Sequence, residues 1–278
     1  MIQDIAPHQF DNAYYPVGPD RHCIALCYES RACLMKKTEE EFIFPRFADL
    51  ENENEGIYKN YTFLFRIDEE RYYLVTNVCY SHLKDYSMED ISYFRSAEPQ
   101  YRAFAGITGY QLFGWYSSHR YCGACGLPMK PDSKERMMYC EKCHSMEYPK
   151  ICPAVIIGVT DGNRLLLSKY AGRIYKKYAL LAGYTEIGET LEETVEREVF
   201  EEVGLKVKNI RYYKSQPWAF SGTILMGFYC DLDGPDEIRL DQEELALAEW
   251  FEREEIPVTP SRDSLTNEMI MQFKKGKI

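Results

Sequence analysis

The sequence predicts an α/β protein, in which an α/β/α sandwich follows a small four-cysteine metal ribbon and an α+β N-terminal domain. Two Cys-x-x-Cys pairs stand between residues 122 and 143, and a glutamate-rich helix flanked by glycines follows in residues 190–203. Apolar segments of strand length lie on both sides of that helix. Strands, one helix, further strands and a closing helix are an order typical of layered α/β domains.

The first part of the chain predicts the α+β domain. Residues 22–28, 61–67 and 72–78 have the tyrosine-rich, apolar character of strands, and polar stretches separate them. Residues 101–119 then have a helical apolar period, although they contain three glycines. These changes in composition predict an N-terminal domain in residues 1–100, a linking helix and ribbon in 101–150, and the sandwich in 151–278.

The two cysteine pairs predict a metal site. Cys122 and Cys125 form one pair, and Cys140 and Cys143 form the other after fourteen intervening residues. This spacing is typical of a zinc ribbon with tetrahedral Cys₄ ligation, and four protein ligands leave zinc no open position for chemistry. Disulfides or a redox pair are the alternatives, but no strand–Cys-x-x-Cys–helix pattern is present and nothing marks secretion.

The sandwich is predicted from the segments after the ribbon. Residues 154–160 and 164–170 flank Asp161-Gly162-Asn163 and predict a hairpin. Further strands are predicted at 210–213 and 223–231, and a short closing helix at 268–275.

One motif stands inside this pattern: Gly183, five residues, Glu189, seven residues, and then Arg197-Glu198-Val199-Phe200-Glu201-Glu202-Val203-Gly204-Leu205. Residues 190–203 contain no Gly or Pro, so a loop leads into a helix. Every fourth residue from Leu191 to Val203 is apolar, and this stripe predicts the buried face.

Three acids of this helix predict a second metal site. Glu198, Glu201 and Glu202 lie at i, i+3 and i+4 and therefore share one arc beside the apolar stripe, where they would face a cleft. Carboxylates this close repel one another unless hard cations lie between them, and Mg²⁺ or Mn²⁺ prefers oxygen ligands. The alternative is a solvated acidic helix face. Arg197 is predicted to be structural and to neutralise Glu189 or a neighbouring acid; the alternative is a phosphate ligand.

The overall charge limits the partners. A net charge of −11 argues against broad binding to a nucleic-acid backbone, and it makes a metal obligatory for an anionic substrate. The sequence contains no apolar stretch of eighteen residues and does not begin with a basic-then-apolar run, so neither export nor a membrane partner is indicated. A reducing, cytoplasmic setting is expected, with the six cysteines outside the ribbon as buried thiols.

The order of these features resembles the NADH pyrophosphatase family of Nudix hydrolases. The resemblance covers about residues 100–260 and includes the ribbon, the Nudix box at 183–205 and Ser215-Gln216-Pro217-Trp218-Ala219-Phe220, where the family has SQPWPFPxS. This chain lacks the two prolines on either side of Phe220. The loop is therefore expected to be freer, and the preference for a particular nicotinamide dinucleotide is in doubt.

The resemblance implies roles for single residues. The family's metal-binding glutamates match Glu198, Glu201 and Glu202, and a further one matches Glu244, which precedes Trp250-Phe251. The aromatic residue after the box glycine stacks on nicotinamide in the family, and Tyr184 occupies that position. Residues of the hallmark string are expected to form the nucleotide pocket: Ser215, Gln216, Trp218 and Phe220.

The resemblance implies metal-dependent cleavage of the pyrophosphate bond of NADH or NAD⁺ to AMP and nicotinamide mononucleotide, by a homodimer with structural Zn²⁺ and catalytic Mg²⁺ or Mn²⁺. Water would be the nucleophile, and Glu201 or Glu202 would accept its proton. Removal of an NAD cap from RNA, or hydrolysis of ADP-ribose or another nucleoside diphosphate, are the alternatives among enzymes. A zinc-ribbon regulator that binds nucleic acid is the alternative outside enzymes, although the complete set of box acids argues against it.

Overall fold

The computed structural model describes residues 1–172, 177–262 and 264–278. These residues form two compact units. The C-terminal unit consists of Met1, Ile151–Trp218 and Gly222–Ile278, and the N-terminal unit consists of Ile2–Lys150 and Ala219–Ser221. Apart from Met1, the residues of the predicted N-terminal domain, linking helix and ribbon lie together in the N-terminal unit.

The C-terminal unit is built on a mixed six-stranded sheet. Its strands are Cys152–Asp161, Arg164–Tyr170, Leu181–Tyr184, Val207–Trp218, Thr223–Leu232 and Leu245–Glu252. The first of these is central. It pairs in parallel with Thr223–Leu232 and antiparallel with Leu181–Tyr184, while its last residues form the predicted hairpin with Arg164–Tyr170.

Helices cover both faces of this sheet. Val155 and Ile157 of the central strand share a core with the box helix, Leu191–Val203. Ile156 points to the other face, where its core includes residues of the closing helix, Leu265–Lys274. Because alternate strand residues face opposite sides, one strand supplies both cores. The predicted α/β/α sandwich is confirmed; a short 3₁₀ helix, Arg253–Glu255, follows the last strand.

The box helix forms where the sequence predicts it. Thr190 caps its first turn: the Thr190 hydroxyl accepts from the Glu193 N–H at 3.2 Å, and the Glu193 carboxylate accepts from the Thr190 N–H at 2.7 Å. Val195, Val199 and Val203 are fully buried, as the apolar stripe predicts. Gly204 ends the helix with a φ of 70°, a left-handed conformation that glycine adopts without strain.

The strand predicted at 210–213 is longer than expected. Val207–Trp218 continues through Ser215-Gln216-Pro217-Trp218, and only residues 219–222 connect it to the next strand. The expectation of a loop from Ser215 to Thr223 is therefore wrong. Pairing with Thr223–Leu232 continues as far as Trp218, and a proline is tolerated because this strand lies at the edge of the sheet.

The N-terminal unit combines small sheets with one long helix, Gln100–Ser118. Its strands are Phe10–Asp11, Ile24–Leu26, Tyr28–Glu29, Ala32–Lys37, Phe42–Ile43, Thr62–Ile67, Glu70–Leu74 and Ser87–Asp90. Its short helices are Phe47–Leu50, Ile57–Lys59 and Ile91–Arg95. Two glycines of the long helix allow close packing: a Cβ at Gly106 would overlap the Phe94 ring, and one at Gly109 would overlap Leu26 and Tyr28.

The ribbon contains three short strands, Lys130–Pro131, Met138–Tyr139 and Met146–Glu147. Arg136 reaches out of it. Its guanidinium donates to the carbonyl of Leu64 and to the Asn12 side chain, at 3.2 Å from the latter. The ribbon is thereby held against the strands of the N-terminal unit.

Two expectations about composition can be checked here. Within the described ranges, none of the helices combines the length and the apolar character needed to cross a membrane. Of the six cysteines outside the ribbon, four are buried, but Cys79 is exposed and Cys152 is intermediate, so the expectation of uniformly buried thiols is wrong. Cys79 follows strand Glu70–Leu74, and its thiol donates to the carboxylate of Glu53 at 3.1 Å.

Candidate active site and metal ribbon

The box glycine makes room for a box glutamate. A Cβ placed on Gly183 would overlap the carboxylate of Glu198, so only glycine lets strand Leu181–Tyr184 and the box helix approach this closely. Glu198 is only 8% exposed as a result. The motif in the sequence contains this glycine, and its contact with Glu198 explains why no larger residue fits there.

Arg197 connects the loop of the motif to the helix. Its guanidinium donates to both oxygens of Glu189 at 2.5 and 2.9 Å, to Glu198 at 2.8 Å and to Glu201 at 2.9 Å. It also donates to the backbone carbonyl of Tyr184 at 3.0 Å. The predicted structural role of Arg197 is confirmed. These contacts, with the N–H of Glu186, hold the pKa of Glu189 at about 2.

The three predicted acids differ in burial. Glu202 is 1% exposed and Glu198 is 8% exposed, whereas the Glu201 side chain is 57% exposed. Burial raises the pKa of Glu198, and the negative charges of Glu201 and Glu244 raise it further, against the lowering effect of Arg197. Glu244 contributes to this raised pKa although it lies far from Glu198 in the sequence. Glu244 itself is exposed, in the turn before strand Leu245–Glu252.

The sheet register separates the predicted substrate residues. One row across the sheet consists of Gly183, Val155, Met226 and Ser215. The next row consists of Tyr184, Ala154, Leu225 and Gln216. Neighbouring rows face opposite sides, so Ser215 lies on the side of the box helix and its acids, while Tyr184 and Gln216 lie on the side of the closing helix.

Tyr184 and Trp218 lie at the same end of the sheet, in strands that Cys152–Asp161 and Thr223–Leu232 separate. Each is the last residue of its strand, and Trp218 pairs with Thr223. The hydroxyl of Tyr184 lies 3.3 Å from that of Thr223, and 52% of the Tyr184 residue is exposed to solvent. Sequence reasoning missed Thr223, because only the sheet register brings it to Tyr184.

The other hallmark residues have buried neighbours. The Gln216 side-chain oxygen accepts a hydrogen bond from the N–H of Leu265 at 2.7 Å, at the start of the closing helix, and Gln216 is fully buried. Phe220 is partly buried and packs against the core of the N-terminal unit. Gln216 lies on the side of the sheet opposite the acids, and the predicted contacts of Gln216 and Phe220 with substrate stay predictions.

The four ribbon cysteines converge. Their sulfur atoms all lie within 4.8 Å of one another, close enough to ligate one ion. The sulfur of Cys122 is 3.2 Å from the Ser145 hydroxyl, and hydrogen bonds from Ser145, Cys143 and the backbone lower the pKa of Cys122 to about 6. His144 is not a member of this group; its ring contacts Tyr139 instead. The convergence of the four sulfur atoms and the lowered pKa of Cys122 both suit the thiolate donors of a structural zinc site.

Comparison with protein families agrees with this geometry. Residues 150–272 match the NUDIX domain, and residues 117–148 match the NADH pyrophosphatase zinc ribbon domain. The chain belongs to the zinc-ribbon Nudix proteins. The Nudix match covers the sandwich with its box helix, and the ribbon match contains all four cysteines.

Two curated relatives carry the name NAD-capped RNA hydrolase NudC. The protein from Photorhabdus laumondii is 40% identical over 162 residues, which are 58% of this chain and 63% of the relative. The protein from Salmonella paratyphi C is 39% identical over a match of the same extent. The matched region thus spans less than two thirds of these relatives. A solved Nudix hydrolase from Nitrosomonas europaea is 24% identical and covers 57% of this chain and 92% of its own, with a TM-score of 0.49.

Gly183→Ala should inactivate the Nudix site without unfolding the protein. The added methyl group displaces the Glu198 carboxylate, and a displacement of about 1 Å costs on the order of a hundredfold in rate. Turnover and thermal unfolding are measured together. Gly114→Ala is the control, because a Cβ there meets nothing within 4 Å. Full activity of Gly183→Ala would show that Glu198 needs no such space.

Freshly purified protein should contain about one zinc per chain. Cys140→Ser should lose the metal and lower the free energy of unfolding, because Cys140 is 1% exposed and its thiolate is one of the four donors. Metal analysis and denaturation measure the two effects. Cys79→Ser, the same change at an exposed thiol outside the ribbon, should retain the zinc. Wild-type protein without zinc would contradict the assignment.

Proposed function

We propose that this chain is a metal-dependent pyrophosphohydrolase that cleaves NADH or NAD⁺ to AMP and nicotinamide mononucleotide. The observation that carries the proposal is the meeting of two groups around Gly183. Glu198 fills the space beside this glycine, and the next residue, Tyr184, presents a half-exposed ring. A diphosphate near the acids and a flat base near the ring are the two parts of a dinucleotide.

The acids suit a divalent ion. Carboxylate oxygens are the donors that Mg²⁺ and Mn²⁺ prefer. The raised pKa of Glu198 reflects its burial and, to a smaller extent, the negative charges of Glu201 and Glu244, which a cation would neutralise. Glu198, Glu201, Glu202 and Glu244 would hold the ion. When bound, it supplies charge neutralisation for the diphosphate and lowers the pKa of a water molecule.

Individual residues of the chain would then have separate roles in the hydrolysis. The oxygen of water forms a bond to one phosphorus, and the bridging oxygen leaves with the other phosphate. Glu201 or Glu202 accepts the proton of the water, and Tyr184 holds the nicotinamide ring by stacking. Ser215 lies on the side of the acids, and Trp218 ends its strand at the same end of the sheet as Tyr184.

A capped RNA is the second candidate substrate. The curated relatives are named for it, and it contains the same pyrophosphate bond. The net charge of −11 argues against strong binding of the RNA backbone. Parallel assays of NADH, NAD⁺, ADP-ribose and NAD-capped RNA with Mg²⁺ and Mn²⁺, with the products separated by mass, rank these substrates. A homodimer and a cytoplasmic location remain predictions.

Glu202→Gln should reduce turnover by at least about a hundredfold, because the amide can neither accept the proton nor hold the cation. The amide has nearly the same shape, so the circular dichroism spectrum should not change. Glu196→Gln removes an exposed charge from the same helix and should leave turnover unchanged. If Glu202→Gln keeps wild-type turnover at saturating Mg²⁺ and Mn²⁺, the catalytic role of the box is wrong.

Tyr184→Ala should impair hydrolysis of NADH more than that of ADP-ribose. ADP-ribose shares the adenosine and the diphosphate but lacks the ring, and stacking contributes about 1–3 kcal/mol per base, so roughly a tenfold difference in kcat/KM is expected. Tyr212→Ala, at a tyrosine that is 59% exposed, serves as the control. Equal losses on the two substrates would make Tyr184 a packing residue and favour a general nucleoside-diphosphate hydrolase.

A further inference from the structure

The hairpin that follows Trp218 has an unusual tip. Its strands, Val207–Trp218 and Thr223–Leu232, belong to the C-terminal unit, but the three residues Ala219–Ser221 belong to the N-terminal unit. The chain therefore leaves the Nudix unit directly after Trp218 and returns to it at Gly222.

Packing and a cation–π contact hold this tip within the N-terminal unit. Ala219 is 8% exposed and belongs to the large apolar core of that unit, and Phe220 packs against the same core. The guanidinium carbon of Arg95 lies over the Phe220 ring, 4.4 Å from its centroid. A cation at this distance from the face of an aromatic ring is attracted to it.

Arg95 belongs to a short helix that packs well into the core. It is the last residue of the 3₁₀ helix Ile91–Arg95. Ile91 and Phe94 of that helix are 0% and 1% exposed, and both belong to the core that contains Ala219. The position of the Arg95 backbone is therefore determined by the same packing that receives the tip.

The tip itself has little stiffness of its own. No proline stands between Trp218 and Thr223, and Gly222 adopts a φ of +68°. Alanine, serine and glycine restrict the backbone less than proline does, so external contacts must order this segment. A fixed conformation of this tip matters because the tip joins Trp218 to Thr223, and the Thr223 hydroxyl lies 3.3 Å from that of Tyr184.

We propose that Arg95 is a positioning residue for substrate binding: by holding Phe220 it fixes the hairpin end that carries Trp218 and Thr223, and through Thr223 the ring of Tyr184. Arg95 itself touches no reacting atom in this proposal. The inference rests on the proposed function for its kinetic consequence, but the anchoring of the tip is independent of any substrate.

Four variants test it in the full chain: Arg95→Ala, Arg95→Lys, Phe220→Leu and the double variant Arg95→Ala/Phe220→Leu. Arg95→Ala should raise KM for NADH roughly three- to fivefold, as expected for loss of one exposed cation–π contact, with kcat within about twofold because the acids are untouched. Arg95→Lys should recover part of the loss, since lysine keeps the cation. Phe220→Leu should reproduce the loss because it keeps an apolar side chain without the aromatic face.

The loss in the double variant should be smaller than the sum of the two single losses, because both changes remove the same cation–π contact. Arg31→Ala is the control. Arg31 is an exposed arginine. Its backbone carbonyl accepts a hydrogen bond from the N–H of Ile91, and the variant keeps this bond because the substitution changes only the side chain.

Hydrogen exchange gives a measurement without substrate. Amides of residues 215–223 should exchange faster in Arg95→Ala and Phe220→Leu than in wild type and Arg31→Ala. Unchanged exchange with unchanged KM, or additive effects in the double variant, would overturn the proposal even if the variants lose thermal stability. If wild-type protein hydrolyses no dinucleotide, the proposed function fails, and the exchange data alone still decide whether Arg95 anchors the tip.

Discussion

The candidate site depends on one guanidinium group. Arg197 binds Glu189, Glu198 and Glu201 together with the carbonyl of Tyr184, and so it joins the end of a strand, the loop after it and the box helix. Without this cation, four polar groups of the motif would repel one another or lose a partner. The same contacts keep Glu189 ionised, since its pKa is about 2. Arg197 thus fixes the loop and the strand end next to the box helix, which carries the more buried acids.

In the proposed reaction, the acids near the diphosphate and the ring that stacks on the base lie on opposite faces of the sheet. Gly183 and Tyr184 are adjacent in one strand, so their side chains must point to opposite sides. The face of Gly183 receives Glu198, and the face of Tyr184 receives Thr223. The ring and the acids can therefore serve one extended substrate only around the end of this strand, where the half-exposed Tyr184 lies.

The N-terminal residues matter for more than stability. The ribbon depends on its four thiols and on Arg136, which reaches the backbone of Leu64. The large core of the N-terminal unit also includes Ala219, with Phe220 packed against it, and both residues belong to this unit. A departure from the family's hallmark string, the absence of two prolines, coincides with the segment that this core holds.

The sequence by itself determined the elements whose signals are local. The spacing of the four cysteines, the glycine-flanked box and its apolar stripe from Leu191 to Val203 each carry their meaning within a short stretch, so the ribbon and the box helix form where they are predicted. Tertiary structure decided what depends on distant partners. Edge pairing with Thr223–Leu232 turned Ser215-Gln216-Pro217-Trp218 into strand, and sheet register placed Ser215 and Gln216 on opposite faces. The contact of Arg95 with Phe220 joins residues far apart in the sequence, and no local pattern encodes such a contact.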